Sequence, residues 1–233
     1  MTDAATLARR TSLLEAVPPG ELLVHEIYLS VQGESTYAGL PCVFVRTAVC
    51  DLRCRWCDSP HAFTRGERMG RAAVLARALA FDCPLVEVTG GEPLLQPAVL
   101  PLMADLCDAG RTVLLETSGA HDTSAVDPRV RIILDVKCPG SGEDHRNHWP
   151  NLDRLKPTDE VKFVLAGRAD FDYAARVVRD HRLEERCPVL FSTVFGGPTP
   201  REVVEWLLAE KLFGVRFQLQ MHKFIWDPLA RGV

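Results

Sequence analysis

No run of 18 apolar residues occurs anywhere in the 233-residue chain, which argues against a membrane-spanning helix. The first 20 residues, MTDAATLARRTSLLEAVPPG, include two arginines but no long apolar run. A secretory signal is therefore not expected there, and the cytoplasm is the expected compartment. A basic surplus is also missing. The formal net charge is −4, so no global positive field calls for nucleic acid. There is no internal repeat and no long low-complexity linker. An evenly spread cysteine framework is lacking too. Five of the eight cysteines (Cys42, Cys83, Cys107, Cys138 and Cys187) stand singly among apolar segments and read as buried free thiols. The other three crowd into CDLRCRWCDS, residues 50–59, with no fourth nearby. A disulfide scaffold does not explain that asymmetry.

What is present is ordinary for a globular chain: 47% hydrophobic and 25% charged residues, enough for one large α/β domain or two small ones. Apolar runs predict strands over 21–30, 41–47, 84–89, 112–117, 131–137, 160–165, 188–195 and 214–220. Helical spacing predicts helices over 70–81, 98–109 and 170–183. Thr199, followed by Pro200 and by Glu202 three residues after the cap, marks a capping box ahead of VVEWLL. This order predicts an α/β fold with a mainly parallel curved sheet and outer helices. A closed eight-unit barrel usually takes about 250 residues, so an incomplete, partial TIM-like barrel is expected. Residues 21–233 are expected to form a single domain. Residues 1–20 are expected to be an N-terminal extension and a candidate for disorder. The polar segment 138–158 reads as either a lid or a surface excursion.

Cys50–Cys57, Gly90–Glu92, Glu116–Ser118 and Asp135–Lys137 all fall at predicted strand C-terminal ends. In a parallel sheet those ends face one side, where ligands gather, and this convergence points to an enzyme. Three thiolates on one short loop can bind three irons of a four-iron, four-sulfur (4Fe-4S) cluster and leave the fourth iron open. The alternative is a structural zinc ion completed by a distant histidine such as His61.

Cys50-x-x-x-Cys54-x-x-Cys57 resembles the signature of the radical S-adenosylmethionine (SAM) superfamily, and Gly90-Gly91-Glu92-Pro93 resembles that superfamily's second signature. The resemblance implies a 4Fe-4S cluster on the three cysteines, with SAM on the open iron. It implies that Glu92 engages the methionine amino group, with Gly90 and Gly91 allowing close approach. Thr117, Ser118, Lys137 and Ser141 would help to hold SAM.

A closer resemblance is to the 7-carboxy-7-deazaguanine synthase family. It rests on Tyr28-Leu29-Ser30-Val31-Gln32-Gly33-Glu34, Gly39-Leu40-Pro41, Phe44-Val45-Arg46, Asp135-Val136-Lys137-Cys138-Pro139-Gly140-Ser141-Gly142 and Gln218-Leu219-Gln220-Met221-His222-Lys223. The matches run from about residue 22 to residue 224. They imply a carbon–nitrogen lyase of queuosine biosynthesis. It would convert 6-carboxy-5,6,7,8-tetrahydropterin to 7-carboxy-7-deazaguanine with loss of ammonia, by radical ring contraction, as a homodimer fed by an external electron donor such as flavodoxin. Gln32, Glu34, Arg46 and His222 would bind the substrate. Ser59 stands where the family commonly has a magnesium-ligating threonine, and its hydroxyl keeps an oxygen for Mg2+. Read without the resemblance, Glu34 is a solvated loop residue, Arg46 a sheet-edge arginine, Ser59 a turn residue and His222 a surface histidine. Two rival readings are a glycyl-radical-enzyme activase, which needs a large protein partner, and a non-enzymatic iron–sulfur electron-transfer protein, which should carry four cysteine ligands.

Overall fold

The computed structural model describes residues 11–227, 230 and 232. Nine strands form one sheet: β1 (Glu21–Val31), β2 (Pro41–Thr47), β3 (Glu67–Gly70), β4 (Leu85–Gly90), β5 (Thr112–Thr117), β6 (Arg131–Asp135), β7 (Glu160–Leu165), β8 (Val189–Thr193) and β9 (Val215–Gln218). Their order across the sheet is β3-β1-β2-β4-β5-β6-β7-β8-β9. β1 pairs antiparallel with β2 and with β3, and every pairing from β2 to β9 is parallel. Among the described residues β3 and β9 are both edges, so the sheet stays open. The mainly parallel, incomplete barrel expected from the sequence is the fold observed.

Among the described residues four helices of nine or more residues cover the sheet: α1 (Arg71–Leu79), α2 (Val99–Asp108), α3 (Arg168–Asp180) and α4 (Pro200–Ala209); a single turn, His222–Ile225, follows β9. Parallel strands covered by helices read as near-continuous apolar runs. The buried Val113, Leu114 and Leu115 of β5 and Ile132, Ile133 and Leu134 of β6 follow that rule. Phe163 of β7, Phe191 of β8 and Phe171 of α3 are fully buried, and the two pairs that Phe191 forms meet edge to face at 5.4 and 5.7 Å. Such pairs add about 0.5–1.5 kcal/mol each beyond area burial. The capping box of α4 is formed: Glu202 N donates to Thr199 Oγ1, and Thr199 N donates to Glu202 Oε2 at 2.8 Å.

β3 was not anticipated. Its sequence ERMG is polar and mostly exposed, so hydrophobic patterning carries no trace of it. It exists because β1 offers it a free edge. The segment 138–158 folds into short 3-10 turns, buries Leu152 and braces the cysteine loop, as described below. The expectation for residues 1–20 falls partly on residues 1–10, outside the described residues. Within 11–20, Leu14 and Val17 pack against Leu23, Ala48 and Val49, and Arg68 donates to the Ala16 carbonyl. No helix among the described residues is long and apolar enough to cross a membrane.

Candidate active site

The strand C-terminal ends ring a cavity of about 570 Å³. Side chains two apart on a strand share a face. That period sends Glu87 and Thr89 of β4, Glu116 and Ser118 from β5, Asp135 and Lys137 from β6, and Lys162 and Val164 of β7 into the same space. Of the residues singled out in the sequence, Gln32, Glu34, Arg46, Cys50, Cys54, Cys57, Ser59, Gly90, Gly91, Thr117, Ser118, Lys137 and His222 line this cavity. Glu92 and Ser141 are fully buried and not part of the lining.

The cysteine loop leaves β2 through Val49, whose φ of 75° is a left-handed conformation that a β-branched residue rarely adopts. Two hydrogen bonds hold that turn: Val49 N donates to the Ala62 carbonyl at 2.9 Å, and Glu92 N donates to the Val49 carbonyl at 2.8 Å. Gly91 makes the second contact possible, because a Cβ there would run into the Val49 carbonyl. Further along, Arg53 N donates to Glu143 Oε1 at 2.7 Å and Arg55 N to the Ser141 carbonyl at 3.1 Å. The segment after β6 therefore fixes the loop's far side. Ser141 itself donates to the Cys138 carbonyl at 2.6 Å, which closes the turn that presents its own carbonyl to Arg55.

The three thiols share an apolar shell with Leu52, Phe63 and Ala120. Burial raises all three above the ordinary thiol range, Cys54 to about 11. Thiolates in such a shell need a cationic centre to stabilise them. Among the described residues, the three-ligand sets whose atoms lie within 4.8 Å of one another are His25, Glu26 and His61, and Glu34, Asp58 and His222; the cysteines are not such a set. A single tetrahedral zinc ion on thiolates holds sulfurs roughly 3.8 Å apart. At least one pair of these sulfurs is therefore farther apart than a single zinc ion spans.

Behind the lining, Glu92 organises the strand ends. Its carboxylate accepts from Leu94 N at 3.0 Å, Thr117 Oγ1 at 2.9 Å, Ser118 N at 2.8 Å and Ser118 Oγ. It thereby orients the two hydroxyl residues that do face the cavity. Lys137 Nζ pairs with Asp135 at 2.6 Å.

A second wall is polar and buried. Glu34 accepts from Lys162 Nζ at 2.8 Å and from Gln220 Nε2 at 3.0 Å, while its own N–H donates to Gln32 Oε1 at 2.6 Å. The Gln32 amide in turn donates to Glu87, and Lys162 also pairs with Glu116. Burial pushes the Glu34 and Glu116 carboxyls up, but the Lys162 ammonium outweighs it and holds both below the usual range. Glu87 goes the other way. Burial, reinforced by the Glu116 charge, raises it well above that range and favours its neutral form. Arg46 donates through Nε to Glu26 at 2.8 Å, through Nη2 to the Tyr28 hydroxyl at 2.9 Å, and through Nη1 to Ser59 Oγ at 3.4 Å. His222 packs over Gly33, where any Cβ would meet its ring. Burial lowers its pKa and keeps the imidazole neutral. Asp58, beside Ser59, accepts from Gln220 and Lys223, each at 2.8 Å.

Sequence reasoning passed over Glu87, Lys162 and Gln220 as site residues. A signal was there for the first two: the lone charge of LVEVTG, and Lys162, with Glu160, in the otherwise apolar EVKFVL, strands buried on both faces. For Gln220 only the fold brings it to Glu34.

Residues 44–209 match the family described as the radical SAM superfamily. The chain is 46% identical over 215 residues to the 7-carboxy-7-deazaguanine synthase of Chlorobaculum tepidum, covering 91% of this chain and 97% of that protein. It is 44% identical over 225 residues to the 7-carboxy-7-deazaguanine synthase of Koribacter versatilis, covering 90% and 99%. Among solved structures, QueE from Escherichia coli shares the fold with a TM-score of 0.72 at 19% identity, covering 94% of this chain and 100% of that one. With those sequence matches spanning nearly the whole chain, it belongs to the radical SAM superfamily and, within it, to the 7-carboxy-7-deazaguanine synthase family.

Proposed function

We propose that the protein converts 6-carboxy-5,6,7,8-tetrahydropterin to 7-carboxy-7-deazaguanine, with loss of ammonia, as a carbon–nitrogen lyase. The observation that carries this reading is one cavity lined both by the three thiols and by a guanidinium, a carboxylate, an amide and a neutral imidazole. The superfamily's fold implies SAM and a 4Fe-4S cluster. The residues present fit that cofactor: Cys50, Cys54 and Cys57 would hold the cluster, and Gly90, Gly91, Thr117, Ser118 and Lys137 would border SAM. Glu92 and Ser141 act from behind, the first by orienting Thr117 and Ser118, the second by fixing the cysteine loop. When bound, the cofactor supplies the radical chemistry of the rearrangement.

The chain's own residues supply position. Arg46 offers a fork for the substrate carboxylate. Gln32 and Glu34, fixed by Glu87, Lys162 and Gln220, meet the amide and ring nitrogens of the pterin, and His222 faces the same space. Ser59 Oγ, with the oxygens of Asp58 nearby, suits the hard cation Mg2+. In this reading the protein works as a homodimer with an external electron donor such as flavodoxin. Exposed Leu219, Phe224 and Ile225, close to the open edge of β9, support the dimer.

Two measurements test these roles. Titrating the pterin into cluster-loaded, SAM-bound protein should give saturable binding, weakened in Arg46→Gln by about 1.5–3 kcal/mol, the worth of a hydrogen bond to a charged group. Equal affinity in the variant removes Arg46 from the site. Turnover should fall on rigorous magnesium chelation and return when the ion is restored; activity indifferent to magnesium contradicts the role given to Ser59.

A further inference from the structure

β1 carries one irregularity. Val24 pairs with Thr47 and Glu26 with Arg46, so His25 is an extra residue, a β-bulge. In a regular strand, neighbouring side chains point to opposite faces. A bulge re-aims a side chain, and bulges are common beside functional sites. Here it lets His25 and Glu26 converge, and His61 from the turn Pro60–Phe63 joins them. The ligand-capable atoms of all three lie within 4.8 Å of one another, and each residue is half-buried. The His25 and His61 ring centroids are 5.0 Å apart.

The partners of these groups suit an ion. His25 Nδ1 lies 2.7 Å from the Arg65 carbonyl oxygen. A carbonyl only accepts, so Nδ1 carries the hydrogen and Nε2 keeps its lone pair. Metal-binding histidines are commonly fixed in this way. Glu26 Oε1 accepts from Arg46, which leaves Oε2 to a second partner. The turn holding His61 is braced at both sides, by Val49 N on the Ala62 carbonyl and by Ala62 N on the Ser59 carbonyl at 3.1 Å.

We propose that His25, Glu26 and His61 form a site for a divalent transition-metal ion, with zinc as the best match, on the wall of the cavity. Two imidazoles and a carboxylate are a donor set for zinc-class ions, whereas magnesium takes oxygen ligands throughout. The site's three side chains are distinct from the cluster cysteines and from Ser59, although His61 follows Ser59 by two residues. Its Glu26 also holds Arg46, so an ion bound here shares a carboxylate with the guanidinium assigned to the substrate.

The test is calorimetric titration of Zn2+ into cluster-loaded protein, whose cluster cysteines are already occupied. The protein should bind one zinc more per chain than the His25→Ala/His61→Ala double variant, with iron and sulfide content equal in the two. Identical zinc stoichiometry and affinity overturn the proposal. Crystals of the unaltered protein soaked in zinc guard against a variant that fails to fold. Anomalous scattering across the zinc edge should place a peak among the three side chains, and its absence at saturating zinc overturns the proposal as well.

Discussion

Replacing Lys162 by methionine should destabilise the protein at neutral pH by about 3–5 kcal/mol, the range for removing one partner of a buried ion pair. The ammonium is 5% exposed and faces Glu34 and Glu116 together. Methionine fills similar volume, so the loss is electrostatic rather than a cavity. The pH dependence separates this account from simple misfolding. In the unaltered protein Glu34 and Glu116 titrate below the usual carboxylate range, so each contributes stability above that range and loses it as pH falls through its folded value. Without Lys162 both carboxyls rise, and their charged forms become a cost at neutral pH. The gap between variant and unaltered protein should therefore shrink on acidification toward about pH 5. Glu87 has the opposite sign: already raised, it favours the fold at acid pH and loses that contribution as pH climbs past the usual carboxylate value. Chemical denaturation across pH checks this, and a gap that stays constant with pH contradicts the network.

Replacing Cys57 by alanine should abolish turnover and SAM cleavage while leaving the chain folded. The side chain is only partly buried and contributes little packing, but in the proposed function it would supply one of the three cluster ligands. Iron and labile sulfide after anaerobic reconstitution should drop sharply. The contrast is Cys107→Ala, on the outer helix α2, which should keep iron, sulfide and turnover unchanged. Full cluster content in Cys57→Ala, or zinc without sulfide in the unaltered protein, removes the cluster from this loop.

Much of the fold could be read from the chain because local and global preferences agree. β2, β5 and β7 occur where their apolar runs placed them, and the α4 capping box formed as its spacing required. What stayed hidden depends on partners far away in sequence. ERMG is a strand only because β1 has an edge to offer. That Glu92 accepts four hydrogen bonds from Leu94, Thr117 and Ser118 is likewise visible only in the fold. The 138–158 segment reads as a lid or a surface excursion, yet Glu143 and Ser141 of that segment anchor the cysteine loop. The bulge at His25 is equally silent, since HEIY reads as unbroken strand; only the β1–β2 register shows the extra residue. The cysteine triplet and the Gly-Gly-Glu-Pro run were the exception. Each lies within one short stretch, so the sequence shows the superfamily motif without help from distant partners.

The most direct test of the central claim is anaerobic turnover of cluster-loaded protein with SAM, magnesium, a strong reductant and 6-carboxy-5,6,7,8-tetrahydropterin, read by mass spectrometry. The account predicts a deazaguanine carboxylate that accumulates over many turnovers and is lost in Cys57→Ala. SAM cleavage with the pterin left intact would contradict the substrate assigned here, and fully loaded protein that leaves both SAM and pterin untouched would contradict the enzyme.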